Sequence, residues 1–434
     1  MNEKSKEYLS QIYNFQGEEA EKPKDLDMKI SYDPEKPLSF EEIRSLDEKY
    51  LLQNYAKTPV SFLYGAGEVL YDTEGREYID FLSGIAVNSL GHAHSDLIAS
   101  LTRQADMLWH TSNLFYNAQQ ALLARALVEI TFPSKVFFCN SGTEANEAAL
   151  KTARAYGQSQ KKEKILALTN SFHGRTFGAM SLTGQNKVRD GFGSVLENID
   201  FVIPNDIEDL KKKFDSSVCG IFLEPIMGEG GVLPLDREFL AEARALCDEN
   251  DALLIIDEIQ TGIGRTGKYF AYMHYDIRPD ILTTAKGLGG GFPIGAMITA
   301  EKYASVLKSG SHGSTFGGNH LACAVGYEVL RSIEAGNILE NVNGLSEYLF
   351  SLLENLRSGY PDIVKEVRGM GLLIGVVLRE DIQARPLVAK ALEKFLVIGR
   401  AGENVIRLAP PLILRMKTAE TAVEKLEELI RELQ

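Results

Sequence analysis

The sequence predicts an α/β fold built on a mostly parallel sheet, and two observations carry that prediction. Between about residues 95 and 333, helical stretches alternate with short, almost wholly apolar runs at 136–139, 165–168, 219–223, 252–256, 281–283 and 296–299. Such runs suit strands buried on both faces, the condition of a parallel sheet whose crossover helices cover both sides. Several runs also end in polar or glycine-rich sequence, as expected where strand C-termini meet a ligand crevice.

Taken in order, the elements differ sharply in composition. The first 50 residues hold 8 basic and 13 acidic residues and are interrupted by Pro23, Pro34 and Pro37. Residues 1–38 read as a partly disordered arm. Ser39 and Glu42 have the spacing of a capping box, which predicts a helix running through Ala56. Residues 61–81 alternate apolar and polar positions, broken by turn signals at Gly65, Gly67 and Gly75, and predict an antiparallel meander. After the central α/β stretch come helices, two short strands at 372–378 and 405–408, and a terminal helix. In that helix Val423, Leu426, Ile430 and Leu433 share one face, a core stripe.

Composition excludes several function classes. Sixty acidic against 46 basic residues give a formal net charge of −14, which disfavours nucleic acid and anionic membrane surfaces. The apolar stretch 369–378 covers only about half of a membrane span. The four cysteines show no CxxC spacing and read as buried reduced thiols. The N-terminus lacks the apolar core of a secretory signal, so a cytoplasmic protein is expected. Two tempting motifs are set aside. Residues 262–268 fit GxxxxGK, but Tyr269 stands where a P-loop needs Ser or Thr. His92, His94 and His110 lack a carboxylate or Cys partner of metal-site spacing, so they read as structural and no metal is expected.

The informative pieces occur in order. NSGTEANEAA (140–149) joins a strand end to a helix start through small residues, which makes either an anion site or an ordinary N-cap. SFHGRT (171–176) offers an aromatic for a planar ring and an Arg for a carboxylate, or is a surface turn. IDEIQTG (256–262) delivers Asp257 at the end of a buried strand, where the carboxylate needs a partner, either a protonated heterocycle or a structural Arg. AKGLGGGFP (285–293) puts Lys286 among glycines at another strand end. Desolvation there favours the neutral amine that Schiff-base chemistry requires. Ser314 and Thr315 in HGSTFGGN (312–319) add hydroxyls suited to a phosphate. An Asp for a pyridinium nitrogen, a Lys for an imine and a phosphate cup together meet the needs of pyridoxal phosphate.

These motifs, with DFLSGIAVN (80–88), HTSNL (110–114), EPIMGEGG (224–231) and RLAPP (407–411), resemble those of class III (omega) aminotransferases of the fold-type I pyridoxal-phosphate superfamily, and within them the acetylornithine branch. The resemblance runs from about Leu46 to the C-terminus. It implies a seven-stranded, mixed and mostly parallel sheet with helices on both faces, plus a smaller α+β domain. Residues 95–333 would form the large domain; 39–94 and 334–434 would form the small one, with 1–38 an extension. It implies that Lys286 carries the cofactor, Asp257 binds the ring nitrogen and Gln260 lies near the phenolic oxygen. Phe172 would stack on the ring, and Gly142 and Thr143 would bind the phosphate. Thr315 would add a phosphate contact from the other subunit of a homodimer with shared sites.

For substrates, the resemblance implies that Arg175, with Ser314 alongside, grips the distal carboxylate of N-acetylornithine. Arg407 would bind the α-carboxylate of 2-oxoglutarate, and Glu229 would neutralise Arg407 while the amine donor is bound. The implied place is arginine biosynthesis. Ornithine, succinylornithine, N-succinyl-diaminopimelate and 4-aminobutyrate aminotransferases are the alternatives. A cofactor-binding regulator without turnover predicts loss of Lys286 or Asp257, and both are present. Met227, Ser95 and His320 depart from the commoner pattern of Gln, Pro and Pro.

Overall fold

The structure, a computed structural model, describes residues 38–434. The arm read over 1–38 therefore lies, apart from Leu38, outside the described residues. Two units are distinguished, one ending at Asn54 and one running Tyr55–Gln434. In the first, a helix spans Phe40–Tyr50, opened by the expected capping box: Glu42 N–H donates to Ser39 Oγ, and Ser39 N–H donates to the Glu42 carboxylate. The helix stops at Tyr50 rather than Ala56. Leu51 turns extended, and Gln53 Nε2 donates to the Asp47 and Leu51 carbonyls at 3.0 Å each, satisfying groups that a further turn would have used.

The second unit opens with the meander β1 (Phe62–Ala66), β2 (Val69–Asp72) and β3 (Glu77–Asp80), paired antiparallel. Asp72 builds the turn between β2 and β3 by accepting the Glu74 and Arg76 N–H groups, each at 2.9 Å. The central strands are β4 (Ser134–Cys139), β5 (Lys164–Leu168), β6 (Ile199–Val202) and β7 (Val218–Leu223). A short hairpin of β8 (Ile226–Met227) and β9 (Leu233–Pro234) precedes β10 (Leu253–Asp257), β11 (Ile281–Thr284) and β12 (Gly295–Ala300).

These make a seven-stranded sheet in the order β4-β12-β11-β10-β7-β5-β6. Only β12 is reversed, pairing antiparallel with β11 and β4; the other pairs are parallel. Every residue of β7, β10, β11 and β12 is buried, which explains why these strands read as unbroken apolar runs. The edge strand β6 escapes that pattern because Asp200 interrupts it and most of it is only half-buried.

Beyond the sheet lie β13 (Val364–Met370), β14 (Leu373–Leu378), β15 (Leu396–Val397), β16 (Gly399–Ala401) and β17 (Val405–Leu408). Four of them form an antiparallel sheet, β13-β14-β17-β16. The fifth, β15, pairs parallel with β3, Leu396 opposite Ile79 and Val397 opposite Asp80. The terminal helix Met416–Arg431 buries Val423, Leu426 and Ile430 in a second apolar core, which it shares with Ile374 and Val376 of β14 and Ile406 and Leu408 of β17.

Candidate active site

The C-terminal ends of β4, β5, β7 and β10 and the residues just after β11 converge on a cavity of about 330 Å³. Its lining includes Gly142, Thr143, Phe172, Asp257, Gln260 and Lys286, residues drawn from four separate sequence motifs. A helix, Gly142–Ser159, starts at its edge. Ser141 caps that helix by accepting the Glu144 N–H at 3.2 Å. The N–H groups of Gly142 and Thr143 are first-turn donors with no intrahelical acceptor, and they stand at the positive end of the helix dipole.

At the end of β10, Asp257 is almost wholly enclosed and accepts three hydrogen bonds. Oδ1 takes the Ile259 N–H at 3.0 Å; Oδ2 takes Asn146 Nδ2 at 2.7 Å and His173 Nδ1 at 2.8 Å. Asn146 is oriented in turn by Thr283, whose hydroxyl donates to Asn146 Oδ1 at 2.8 Å. Burial opposes charge on His173, but Asp257 prevails and holds the imidazole above its ordinary pKa. Glu224 also lines the cavity and accepts the Phe172 N–H at 2.9 Å; burial pushes its carboxyl up to about 7.

Lys286 begins the turn after β11 with φ +42, a left-handed conformation that is strained for a residue with a side chain. Burial, first of all, lowers the pKa of its amine, and Arg407 adds to that while Glu229 opposes it. Arg407 is buried on β17 and forms an ion pair with Glu229, while its Nη1 donates to Gln260 Oε1 at 3.1 Å and to the Gly228 carbonyl at 3.2 Å. Burial works to raise the Glu229 carboxyl, but Arg407 overrides it and keeps the group below the ordinary carboxylate range.

The residues present fit pyridoxal phosphate. A carboxylate offers about four acceptor sites, and the three taken on Asp257 leave roughly one for a protonated ring nitrogen. The amine of Lys286 is deprotonated more readily than that of a surface lysine, as an imine linkage requires. The free N–H groups at 142–143 match a phosphate.

Other expected residues lie outside this cavity's lining. Arg175 is exposed, its guanidinium 5.6 Å from the Phe172 ring centre. Ser314 accepts from Asn140 Nδ2 at 3.1 Å and from Gly317 N–H at 3.0 Å, and Thr315 beside it is exposed. Sequence reasoning does not single out Asn146, His173, Glu224 or Thr283. Asn146, His173 and Glu224 sit inside quoted motifs, so a signal for them exists; Thr283 reaches the Asp257 network only through the fold.

The three departures are benign in place. Met227 is fully buried in the main core, where an apolar side chain belongs. Ser95 and His320 each occupy the first position of a helix, Ser95–Ala105 and His320–Ala335. Proline is favoured there because that N–H has no intrahelical partner, so replacing it forfeits no hydrogen bond. His92, read as structural, pairs with Asp80 at 2.7 Å.

Comparison with known proteins shows the family of the chain. Residues 50–430 match the family profile "Aminotransferase class-III". An acetylornithine aminotransferase of Caldanaerobacter subterraneus subsp. tengcongensis is 48% identical over 391 residues, covering 89% of this chain and 98% of that protein. A succinylornithine transaminase of Yersinia pseudotuberculosis is 46% identical over 394 residues, covering 88% and 95%. Among solved structures, the ornithine aminotransferase of Toxoplasma gondii superposes with a TM-score of 0.89 at 33% identity, covering 94% of this chain and 99% of that one. The chain thus belongs to the class-III aminotransferases, a family of pyridoxal-phosphate enzymes.

Proposed function

We propose that this aminotransferase moves the δ-amino group of N2-acetyl-L-ornithine to 2-oxoglutarate in a ping-pong reaction. The products are N-acetyl-L-glutamate 5-semialdehyde and L-glutamate, in arginine biosynthesis. The observation that carries the reading is the Glu229–Arg407 ion pair beside Gln260. The two substrates make opposite demands near Lys286. The donor passes an apolar chain there and requires the guanidinium to be neutralised; the keto acid brings a carboxylate and requires it free. A carboxylate that can pair with Arg407 or swing away meets both demands.

When bound, pyridoxal phosphate supplies the electron sink that acidifies the substrate C–H bond. Gly142 and Thr143 would hold its phosphate, with Thr315 of a second copy. Asp257 would hold its ring nitrogen protonated, and Gln260 would face its phenolic oxygen. Phe172 would cover one face of the ring. Lys286 would hold the cofactor and then move a proton at its Nζ, and burial lowers the pKa of that amine. Arg175, with Ser314, would take the distal carboxylate of the donor in a bidentate contact.

We also propose a cytoplasmic homodimer. Met107, Leu108, Trp109, Leu114, Phe115 and Tyr116 leave an exposed apolar stretch, tied to the Ser314 loop by Asn113 Nδ2 donating to the Ser314 and Gly317 carbonyls. Four free, buried cysteines suit a reducing compartment. Residues 95–333 would be the cofactor-binding domain. The β3–β15 pairing supports a smaller domain drawn from the segments on either side of it.

A donor panel with 2-oxoglutarate tests the assignment, comparing acetylornithine, succinylornithine, ornithine, N-succinyl-diaminopimelate and 4-aminobutyrate. The highest kcat/KM is expected for acetylornithine. A large preference for free ornithine or 4-aminobutyrate would overturn it.

A further inference from the structure

Arg175 rests on a segment that is held from behind by another helix. The short helix Phe177–Leu182 follows Arg175, and its N-cap residue, Thr176, makes no side-chain cap. The orphan donors of its first turn are taken instead by Glu147, in the second turn of Gly142–Ser159. Glu147 Oε1 accepts the Thr176 hydroxyl, the Gly178 N–H at 3.0 Å and the Ala179 N–H at 3.1 Å. One carboxylate oxygen from a neighbouring helix therefore replaces a missing N-cap, with its charge at the positive end of the helix dipole.

Two glycines make the approach possible. A Cβ on Gly178 would lie 2.3 Å from Glu147 Oε2, and a Cβ on Gly174 would lie 2.3 Å from Thr143 Oγ1. Gly142–Ser159 thus grips the segment at two levels, Thr143 against Gly174 and Glu147 against Gly178. Arg175 lies between the two grips, and Phe172 just before them. The same helix that lines the cavity with Gly142 and Thr143 holds the backbone on the C-terminal side of Arg175.

From this geometry we infer that Glu147 is a positioning residue for substrate selection: it sets Arg175 in the register that reads the donor's distal carboxylate. The inference rests on the assignment of Arg175 to that carboxylate. Glu147 does not line the cofactor cavity, so its loss should act on recognition rather than on amine transfer.

The test uses the cofactor-loaded enzyme and two donors, N2-acetylornithine and N-acetyl-1,4-diaminobutane, which keeps the amide and the amine but lacks the carboxylate. In Glu147→Ala, KM for acetylornithine should rise about tenfold or more with kcat nearly kept, as expected for loss of charge-assisted hydrogen bonds that orient a group. The carboxylate-free donor should be unaffected. Glu147→Gln, which retains an acceptor, should recover most of the loss. Gly178→Ala, which displaces the carboxylate without removing it, should reproduce the loss. Backbone amide exchange at 177–179 should quicken in Glu147→Ala and in Gly178→Ala.

An equal loss on both donors, or none on either, would overturn the role of Glu147. Arg175→Ala separates the two ideas. If it discriminates between the donors and the Glu147 variants do not, the inference fails alone. If Arg175→Ala does not discriminate, the Arg175 assignment fails and this inference goes with it.

Discussion

The floor and the rim of the cavity are built on different principles. At the floor, Asp257 is enclosed and accepts three hydrogen bonds, and one donor, Asn146, is itself oriented by Thr283. At the rim, Arg175 is exposed and its guanidinium faces the Phe172 ring, while the helix that follows it is anchored through Glu147. In the proposed roles of Asp257 and Arg175, the difference follows from what each end would meet. A group that must hold one protonation state against one ring gains from a dry, fully satisfied network. A group that must admit and release a substrate carboxylate has to stay wet and be positioned through its backbone. Lys286 and Arg407 lie between: burial lowers the pKa of the Lys286 amine, while the Arg407 charge is paired with Glu229.

Substitutions can break or sharpen that contrast. The largest effect is expected at Lys286. Lys286→Ala should abolish measurable transamination and leave no borohydride-fixed cofactor on the protein; unchanged turnover would refute its role. Asp257→Asn should lower kcat/KM at least about a hundredfold, chiefly through kcat, because a neutral amide no longer holds a ring nitrogen protonated. If Arg175→Ala damaged kcat as severely, the distinction between floor and rim would collapse.

Arg407→Ala should impair the 2-oxoglutarate half-reaction about ten- to a hundredfold more than the donor half-reaction, in line with one charge-assisted contact. Glu229→Gln should reverse that preference, and single-turnover kinetics on each half-reaction would show it. A smaller effect is expected from pH. Folding raises the Glu224 carboxyl from 4.5 to about 7, so the folded state favours its protonated form. Its stabilising contribution is complete below pH 4.5 and is lost as pH rises through about 7. Glu224→Gln should therefore flatten the fall in Tm of the cofactor-free protein over that interval; parallel wild-type and variant profiles would exclude this origin. The smallest change, a few-fold at most, is expected for Ser314→Ala, whose hydroxyl is engaged with Asn140 and its own loop.

Much of this site is legible before any coordinates, because parallel strands announce themselves as apolar runs and deliver residues at their ends. Asp257 and Lys286 follow such runs on β10 and β11, and both line the cavity. The groups that tune them are harder to find. Asn146 looks like any polar residue near a helix start, and Thr283 like one more β-branched strand residue; only their meeting at Asp257 gives them meaning. Glu147 likewise reads as a solvated helix carboxylate until the Gly178 backbone comes against it. Among elements, β6 and β13 escape a reading by apolar runs for a related reason. Both are largely half-buried or exposed, so their sequences, with Asp200 in one and Lys365, Glu366 and Arg368 in the other, carry charge at strand positions.

The pairing of β3 with β15 has a consequence for how the protein is made. Ile79 of β3 is synthesised 396 − 79 = 317 residues before its partner Leu396 of β15. At roughly 5–20 residues per second, the early strand waits tens of seconds for its neighbour, with its edge unpaired. Phe81 and Ser89 wait as well, since their carbonyls accept the N–H groups of Ala409 and Leu412. Arg407 arrives in that same late stretch. A chain cut short before β15 would therefore keep the β3 edge unpaired and lack Arg407, which makes it an aggregation hazard rather than a slow enzyme.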